Sequence, residues 1–172
     1  MELYRAGIKL FAADPASVHL DDFIPIFHVW IQNQIIEDHF LIDIHNYSHI
    51  ADGPGILLVA HQGNFSVDMS EGRPGLFYYR KQPAGSFADI VMPAMQACRL
   101  LEQEPDLNGI RFRRDDILIV ANDRLVAPND NNGFEKWAPL VGEGLREVLG
   151  SEFKLNRISA GAKERLTIQA RG

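Results

Sequence analysis

The sequence predicts a single-domain α+β protein in which about three helices pack on a mainly antiparallel sheet. Short segments with the two-residue alternation of strands recur along the chain, and they cluster between single helical stretches. A doubly wound parallel fold would alternate strands and helices more strictly. The 172 residues are near the usual size of one domain, and no linker-like stretch divides them, so we expect one domain over residues 1–172.

The predicted elements follow in the order strand, helix, three strands, helix, two strands, helix and two strands. Helical spacing of apolar residues predicts helices over 23–35, 87–101 and 134–148, with Gly150 at the end of the third. Pro93 either kinks or restarts the second helix, and Pro139 weakens the third. The predicted strands are 4–10, 39–44, 56–60, 75–81, 109–114, 116–121, 152–158 and 163–170, where 109–121 is either two paired strands or one long strand, and 159–162 form a turn.

Two of these strands have nearly the same sequence, Ile56-Leu57-Leu58-Val59-Ala60 and Ile117-Leu118-Ile119-Val120-Ala121. Five aliphatic residues bounded by turn signals are typical of strands inside a sheet that are buried on both faces. Polar residues follow each run at once. We therefore expect chemistry, if the protein performs any, at the ends of these two strands.

The composition excludes several classes of protein. Hydrophobic residues make up 46% and charged residues 23% of the chain, which is ordinary for a globular domain, and the longest apolar runs are far shorter than the roughly 20 residues of a membrane-spanning helix. The net charge of −6 opposes nucleic-acid binding. The chain has one cysteine, Cys98, on the apolar face of a predicted helix, and its start lacks signal-peptide features, so we expect an inert thiol and a cytoplasmic protein with no membrane partner.

Asp43, His45, His49 and His61 form a candidate metal site. Asp43 and His45 share one face of a predicted strand, His49 follows in the next loop, and His61 ends the following strand. Imidazole and carboxylate groups are ligands for zinc and similar ions, so a divalent metal is a possible cofactor, and we expect no other. The spacing matches no established zinc signature. The alternative is that these histidines lie in loops and at strand ends, bonded to the backbone.

The second candidate site joins the two strand ends. If both strands run in the same direction, Asp123 could orient His61 as a catalytic base, and Arg124 could bind an anionic group. Asn64 and Asn122 lie beside these residues in sequence and are further candidates for ligand binding. The alternative is an ordinary turn in which Asp123 and Arg124 pair with their neighbours.

Three stretches resemble a family of short, uncharacterised bacterial proteins. They are Ile26-Phe27-His28-Val29-Trp30-Ile31-Gln32, Gly53-Pro54-Gly55 with the strand to His61, and Asn122-Asp123-Arg124-Leu125. The resemblance runs over most of the chain. It implies a bacterial cytosolic origin, but it carries no activity, ligand or residue role.

Three classes of function stay open at this point, and the sequence does not decide whether the protein is an enzyme. The leading prediction is a non-catalytic binding or assembly protein that forms a homo-oligomer, with Tyr78-Tyr79 as an exposed aromatic patch. The second is a small hydrolase that uses His61 as a base or as a metal ligand. The third is a protein that binds a small anionic ligand at the two strand ends without turnover.

Overall fold

A computed structural model describes Leu3, residues 5–158 and residues 164–172. Within these residues it confirms the predicted α+β class, with three α-helices, four 3₁₀ helices of three residues each and an eight-stranded antiparallel sheet, about 35% helix and 32% strand. The helices are α1 (Phe23–Asn33), α2 (Ala88–Glu102) and α3 (Asn131–Leu149). The strands are β1 (Ala6–Ala12), β2 (Leu41–Asn46), β3 (Ile56–Ala60), β4 (Gly63–Asp68), β5 (Gly75–Arg80), β6 (Phe112–Ala121), β7 (Lys154–Arg157) and β8 (Leu166–Arg171).

The strands lie in the order β2-β3-β4-β5-β1-β6-β8-β7, and each pairs antiparallel with its neighbours. The two strands of similar sequence, β3 and β6, are interior strands, as predicted. They also run in the same direction, because three strands lie between them and every pairing reverses the direction. In β3, however, Leu57 and Val59 are only half-buried, so burial on both faces holds for β6 alone.

Sequence patterns missed β4 and left open whether 109–121 is one strand or two. Strand β4 begins at Gly63, directly after the turn at His61 and Gln62, so the polar residues that follow β3 form a tight hairpin. The segment 112–121 is one strand, with Asp115 and Asp116 inside it. Strands β7 and β8 form the predicted C-terminal hairpin, whereas its turn at 159–162 and Tyr4 of the first strand lie outside the described residues.

Neither proline divides its helix. Helix α2 continues through Pro93, which leaves the Asp89 carbonyl without its usual helical N–H donor, and α3 continues through Pro139. Helix α3 is preceded by its N-cap Asp130, whose side chain accepts a hydrogen bond from Gly133 N–H. It is followed by Gly150, which lies at its end as predicted, where a φ of 73° requires a residue that tolerates the left-handed region.

Two adjacent rows of side chains cross the whole sheet and show the difference between its faces. Because paired residues in a sheet point to the same side, the register of the strands defines each row. One row is almost wholly apolar and buried: Arg157, Ile168, Ile119, Ile8, Tyr78, Phe65, Leu58 and Ile44. The next row is mixed: Asn156, Gln169, Leu118, Lys9, Phe77, Ser66, Leu57 and His45.

All three helices pack on the apolar side of the sheet. Trp30 of α1, Ala94 of α2 and Trp137 of α3 belong to one buried cluster with Ile8 and Ile119. At the crossing of α2 and α3, a Cβ atom on Gly144 would lie 2.8 Å from the Ala88 nitrogen, so this position needs glycine for the helices to pack. The mixed row lies on the opposite side, which we call the open face.

Candidate functional site

A cavity of about 330 Å³ lies on the open face, and we call it the open-face cavity. Its inner wall is the centre of the sheet, and its rim comes from the β2–β3 and β4–β5 loops and from Arg165 before β8. The lining residues are Lys9, Asp52, Gly53, Pro54, Leu57, Asn64, Ser66, Asp68, Ser70, Glu71, Phe77, Tyr79, Leu118, Val120 and Arg165. This volume is within the range of small-molecule sites in proteins.

Lys9 is the most unusual residue of the cavity, because it is a lysine on a central strand and is only 2% exposed. Its Nζ donates to Asp68 Oδ2 at 2.7 Å, to the Ser70 carbonyl at 3.0 Å and to Glu71 Oε2 at 3.2 Å. An ammonium group has three donors, so all of them are used. The buried charge is thus neutralised and fully bonded within the protein.

A second polar cluster covers the sheet beside Lys9. Asp116, 6% exposed, accepts from Arg73 Nη2 and Gln169 Nε2, both at 3.1 Å. Burial alone would raise the pKa of Asp116, but the hydrogen bonds from Gln169 and Arg73, with the charges of Arg73 and Arg113, hold it below its usual value. The Arg73 guanidinium lies 3.4 Å from the ring centroid of Phe11, a cation–π contact. This part of the open face is closed by its own side chains.

The inner wall of the cavity is aromatic and aliphatic. The Phe77 ring lies across β1 at Gly7, where a Cβ atom would be 2.6 Å from Phe77 Cζ, so only glycine permits this position of the ring. The Tyr79 ring follows at 6.3 Å between centroids, and Asn122 Nδ2 donates to its hydroxyl at 3.3 Å. The wall therefore offers flat apolar surface to a bound molecule.

Ser66 is the one buried lining side chain whose hydrogen-bonding groups are unused within the described residues. It is 3% exposed and makes no side-chain hydrogen bond there. Asn64 accepts from Ala60 N–H at 3.4 Å, whereas its amide NH₂ has no partner in the same part of the chain. Within the described residues, the fully enclosed side-chain polar atoms without a partner are Trp30 Nε1 and Trp137 Nε1, so the unbonded groups of Ser66 and Asn64 are open to the cavity and can bond a ligand there.

A second cavity, also of about 330 Å³, lies between residues 37–39, β5 and α2. Here His39 Nδ1 donates to the Glu37 carbonyl at 2.8 Å, which leaves Nε2 to accept from the Tyr78 hydroxyl at 2.6 Å. Arg80 Nη1 also donates to that hydroxyl, at 3.4 Å. Both nitrogens of His39 are thus used inside the protein, so the group serves packing rather than a ligand.

Electrostatics in the second cavity favour neutral forms. Burial lowers the pKa of His39, and the charge of Arg80 lowers it further, against the hydrogen bond to Glu37 and the charge of Asp38. Burial raises the pKa of Tyr78, although Arg80 opposes this shift. A neutral imidazole and a neutral phenol are the pair that the His39–Tyr78 hydrogen bond requires.

The structure does not bring His61 and Asp123 together. Both follow strands that end at the same edge of the sheet, as expected for strands of one direction, but β4, β5 and β1 lie between those strands. Four inter-strand steps of about 4.8 Å separate the ends by roughly 19 Å. His61 is exposed in the β3–β4 turn, and Asp123 Oδ1 accepts from Leu125 N–H at 3.1 Å within its own turn.

His61 is also distant from the other proposed metal ligands. Strand β3 is antiparallel to β2, so the end of β3 lies at the start of β2: Ala60 pairs with Leu41, and Leu57 pairs with His45. At about 3.4 Å per residue, His61 and His45 are roughly 14 Å apart along the sheet. His45 Nε2 lies 3.9 Å from Asp43 Oδ2, and both side chains are exposed.

No group of three or more His, Cys, Asp or Glu side chains that could hold a metal ion is found in Leu3, 5–158 and 164–172. His49, the remaining predicted ligand, is exposed with its ring 6.5 Å from that of Tyr47. The metal site stays a prediction, and its four residues lie at two separate places on β2, β3 and their loops.

The predicted ligand-binding residues are divided. Asn64 lines the open-face cavity, whereas Asn122 lies outside the lining and donates to the hydroxyl of the lining residue Tyr79. Arg124 is exposed in the turn after β6 and is not part of the lining. Anion binding at the two strand ends therefore stays a prediction.

The surfaces relevant to a homo-oligomer differ from the expected one. Tyr78 is fully buried and Tyr79 is half-buried, so the prediction of an exposed Tyr78-Tyr79 patch is wrong, because alternation in β5 points Tyr78 into the core. Large exposed apolar side chains occur instead on and before the edge strand β2, where Phe40 is 60% and Ile42 is 50% exposed. Self-association stays a prediction.

Comparisons with protein-family models, with curated proteins and with solved structures found no match to this chain. Within the described residues, no helix is both long and apolar enough to cross a membrane. Cys98 is fully buried, and burial raises the pKa of its thiol, which agrees with the expectation of an inert cysteine.

Sequence reasoning missed Lys9, Ser66 and Asp68. The alternation of β1 placed Lys9 correctly on the face away from the core, but nothing in the local pattern showed that loops would bury it. A signal for β4 was present, because Phe65 and Val67 alternate with polar neighbours. That alternation would have placed Ser66 and Asp68 on the same face as Lys9.

Removing the Lys9 charge should destabilise the protein strongly. In Lys9→Met, Asp68 stays buried without a counter-charge, and we expect the free energy of unfolding to fall by about 3–5 kcal/mol. The double variant Lys9→Met/Asp68→Leu should recover most of this loss, since it leaves no unpaired buried charge. Urea denaturation measures both effects, with the exposed Lys154→Met as the matched control. A loss below about 1 kcal/mol in Lys9→Met would contradict the role of the pair.

Stability should fall in mild acid because of His39. Its pKa is lowered in the folded state, so the unfolded chain binds more protons as the pH drops below the unfolded value of 6.5. The contribution of neutral His39 is therefore complete above pH 6.5 and is lost as the pH falls through the folded pKa. His39→Gln, which can still accept from Tyr78, should flatten the decrease of the melting temperature between pH 6.5 and 5, whereas exposed His28→Gln should not. Equal slopes in both variants would refute this assignment.

Proposed function

We propose that the protein is a non-catalytic binding protein that holds a small molecule in the open-face cavity. The observation that carries this proposal is Ser66, a residue only 3% exposed whose hydroxyl makes no hydrogen bond within the described residues, in the wall of a cavity of about 330 Å³. An apolar wall with few polar groups that converge on it is the usual composition of a ligand site.

The chemistry of the cavity favours binding over turnover. Nucleophilic catalysis by serine needs a base within hydrogen-bonding distance, and Ser66 has no such contact within the described residues. Lys9 has no free donor, and its charge is neutralised by Asp68. These groups can position a ligand, but they do not form an acid–base pair with Ser66.

The rigid support of the cavity also favours a binding role. Its wall lies on β3, β4, β5, β1 and β6, five consecutive interior strands of the sheet. The opposite face of these strands packs in the buried core, so the strands that carry the wall are held in place from behind. A preformed site of this kind loses little conformational entropy on binding. We place the protein in the cytoplasm, where a reduced Cys98 is ordinary.

Filling the cavity should weaken ligand binding without unfolding the protein. We choose indole as a neutral aromatic probe and expect a dissociation constant on the order of 1 mM for this small ring. Ser66→Leu places an apolar side chain in the space beside Phe77, and it should weaken indole binding at least about 10-fold while keeping the melting temperature at or above that of the parent. Titration calorimetry and saturation-transfer NMR measure the binding.

The control for this experiment is Ser151→Leu, the same substitution at an exposed position outside the cavity. It should bind indole like the parent protein. If the parent does not bind indole, or if Ser66→Leu binds it as well as Ser151→Leu does, the open-face cavity is not a ligand site.

A further inference from the structure

We infer that the ligand of the open-face cavity is a cationic aromatic molecule, with a ring on the sheet wall and a protonated amine at the rim near Glu71 and Asp52. The inference rests on the proposed function and adds the chemical class of the ligand. Its basis is the distribution of charge and of unused hydrogen-bond acceptors in the cavity.

The cavity is acidic at one end. Three carboxylates and two cations line it, namely Asp52, Asp68, Glu71, Lys9 and Arg165. The buried Lys9 and Asp68 neutralise each other at 2.7 Å. The remaining carboxylates lie on the rim, because the Glu71 side chain is 51% exposed and Asp52 is exposed.

The two rim carboxylates belong to the same edge of the sheet. Asp52 lies in the β2–β3 loop and Glu71 in the β4–β5 loop, and these loops are joined by the Met69 N–H to Gly53 carbonyl hydrogen bond of 2.9 Å. Arg165 precedes β8, whose first residue, Leu166, pairs with the last residue of β6, so Arg165 lies at the opposite edge. The cation of a ligand would therefore meet Asp52 and Glu71 without meeting Arg165.

Hydrogen-bonding capacity at the acidic end points to a donor on the ligand. All three Lys9 donors are used, so the lysine has none left for an anion. The Asp52 carboxylate has no hydrogen bond or ion pair within the described residues, and only Oε2 of Glu71 is bonded, to Lys9. An ammonium group would supply the donors that these acceptors lack.

The wall of the cavity favours an aromatic ring beside that charge. Phe77 and Tyr79 present aromatic surface, and aromatic faces attract cations in addition to apolar rings. Ser66 is buried in the same wall with an unused hydroxyl, a partner for a ring N–H. A ring with one donor and a cationic substituent satisfies each of these groups.

Three indole compounds test the charge of the ligand. Tryptamine, indole and indole-3-acetate share one ring and carry a positive charge, no charge and a negative charge. We expect tryptamine to bind at least about 5-fold more tightly than indole, and indole-3-acetate to bind more weakly than indole. Titration calorimetry at low ionic strength measures all three affinities, and added salt should reduce the preference for tryptamine.

Removing the rim charges should remove the preference. In Asp52→Asn/Glu71→Gln, the ratio of the tryptamine affinity to the indole affinity should fall to about one, since the side chains keep their size and the amide at position 71 can still accept from Lys9. The matched control is Asp106→Asn/Glu135→Gln, which removes the same charge from exposed sites outside the cavity and should keep the preference.

Failure of this inference is separable from failure of the proposed function. If indole binds and Ser66→Leu weakens its binding, but tryptamine binds no more tightly than indole, the cavity is a ligand site and the charge assignment is wrong. Tighter binding of indole-3-acetate would also overturn the inference, and it would favour the small anionic ligand predicted from the sequence. If none of the three compounds binds, both the function and the inference fall.

Discussion

The open face of this protein depends on the burial of one charge. A sheet with helices on a single side leaves the other side of its central strands uncovered, and apolar side chains there would form an exposed hydrophobic patch that promotes aggregation. Lys9 lies in the middle of that side, and its ammonium is tied to Asp68, Ser70 and Glu71, which join β1 to the end of β4 and the loop after it. The same bonds shape one end of the cavity, so stability and site geometry have a common origin.

Much of the fold follows from local sequence pattern, because each strand and helix must turn its apolar residues towards one core, which fixes the spacing of those residues. β1, α1, α2, α3 and the C-terminal hairpin all lie close to their predicted positions. Strand β4 was not predicted, because only His61 and Gln62 separate it from β3. The polar residues after the apolar run were interpreted as the end of a strand rather than as a hairpin turn. Local pattern alone does not distinguish these two cases.

The site could not be predicted in the same way, because it depends on the order of the strands. Lys9 and Asp68 are 59 residues apart, and they meet only because β5 pairs with both β1 and β4. The direction of β3 and β6 was a correct premise for a shared edge, but the insertion of β4, β5 and β1 separates His61 from Asp123. In an antiparallel sheet, two strands run in the same direction whenever an odd number of strands lies between them. The distance between their ends depends on how many strands that is, which the sequence did not reveal.

The two outermost strands of the sheet, β2 and β7, indicate why the open face is a better location for binding than either of them. Asp43 Oδ1 accepts from the Ile44 N–H at 2.8 Å, which occupies a backbone donor of β2 that a further strand would need. At the other edge, β7 has four residues and carries the charged Lys154 and Arg157. Both features oppose the addition of a strand, despite the exposed Phe40 and Ile42 near β2. The open-face cavity, in contrast, retains unused polar groups beside apolar surface, a combination that is stabilised by a ligand and not by further sheet.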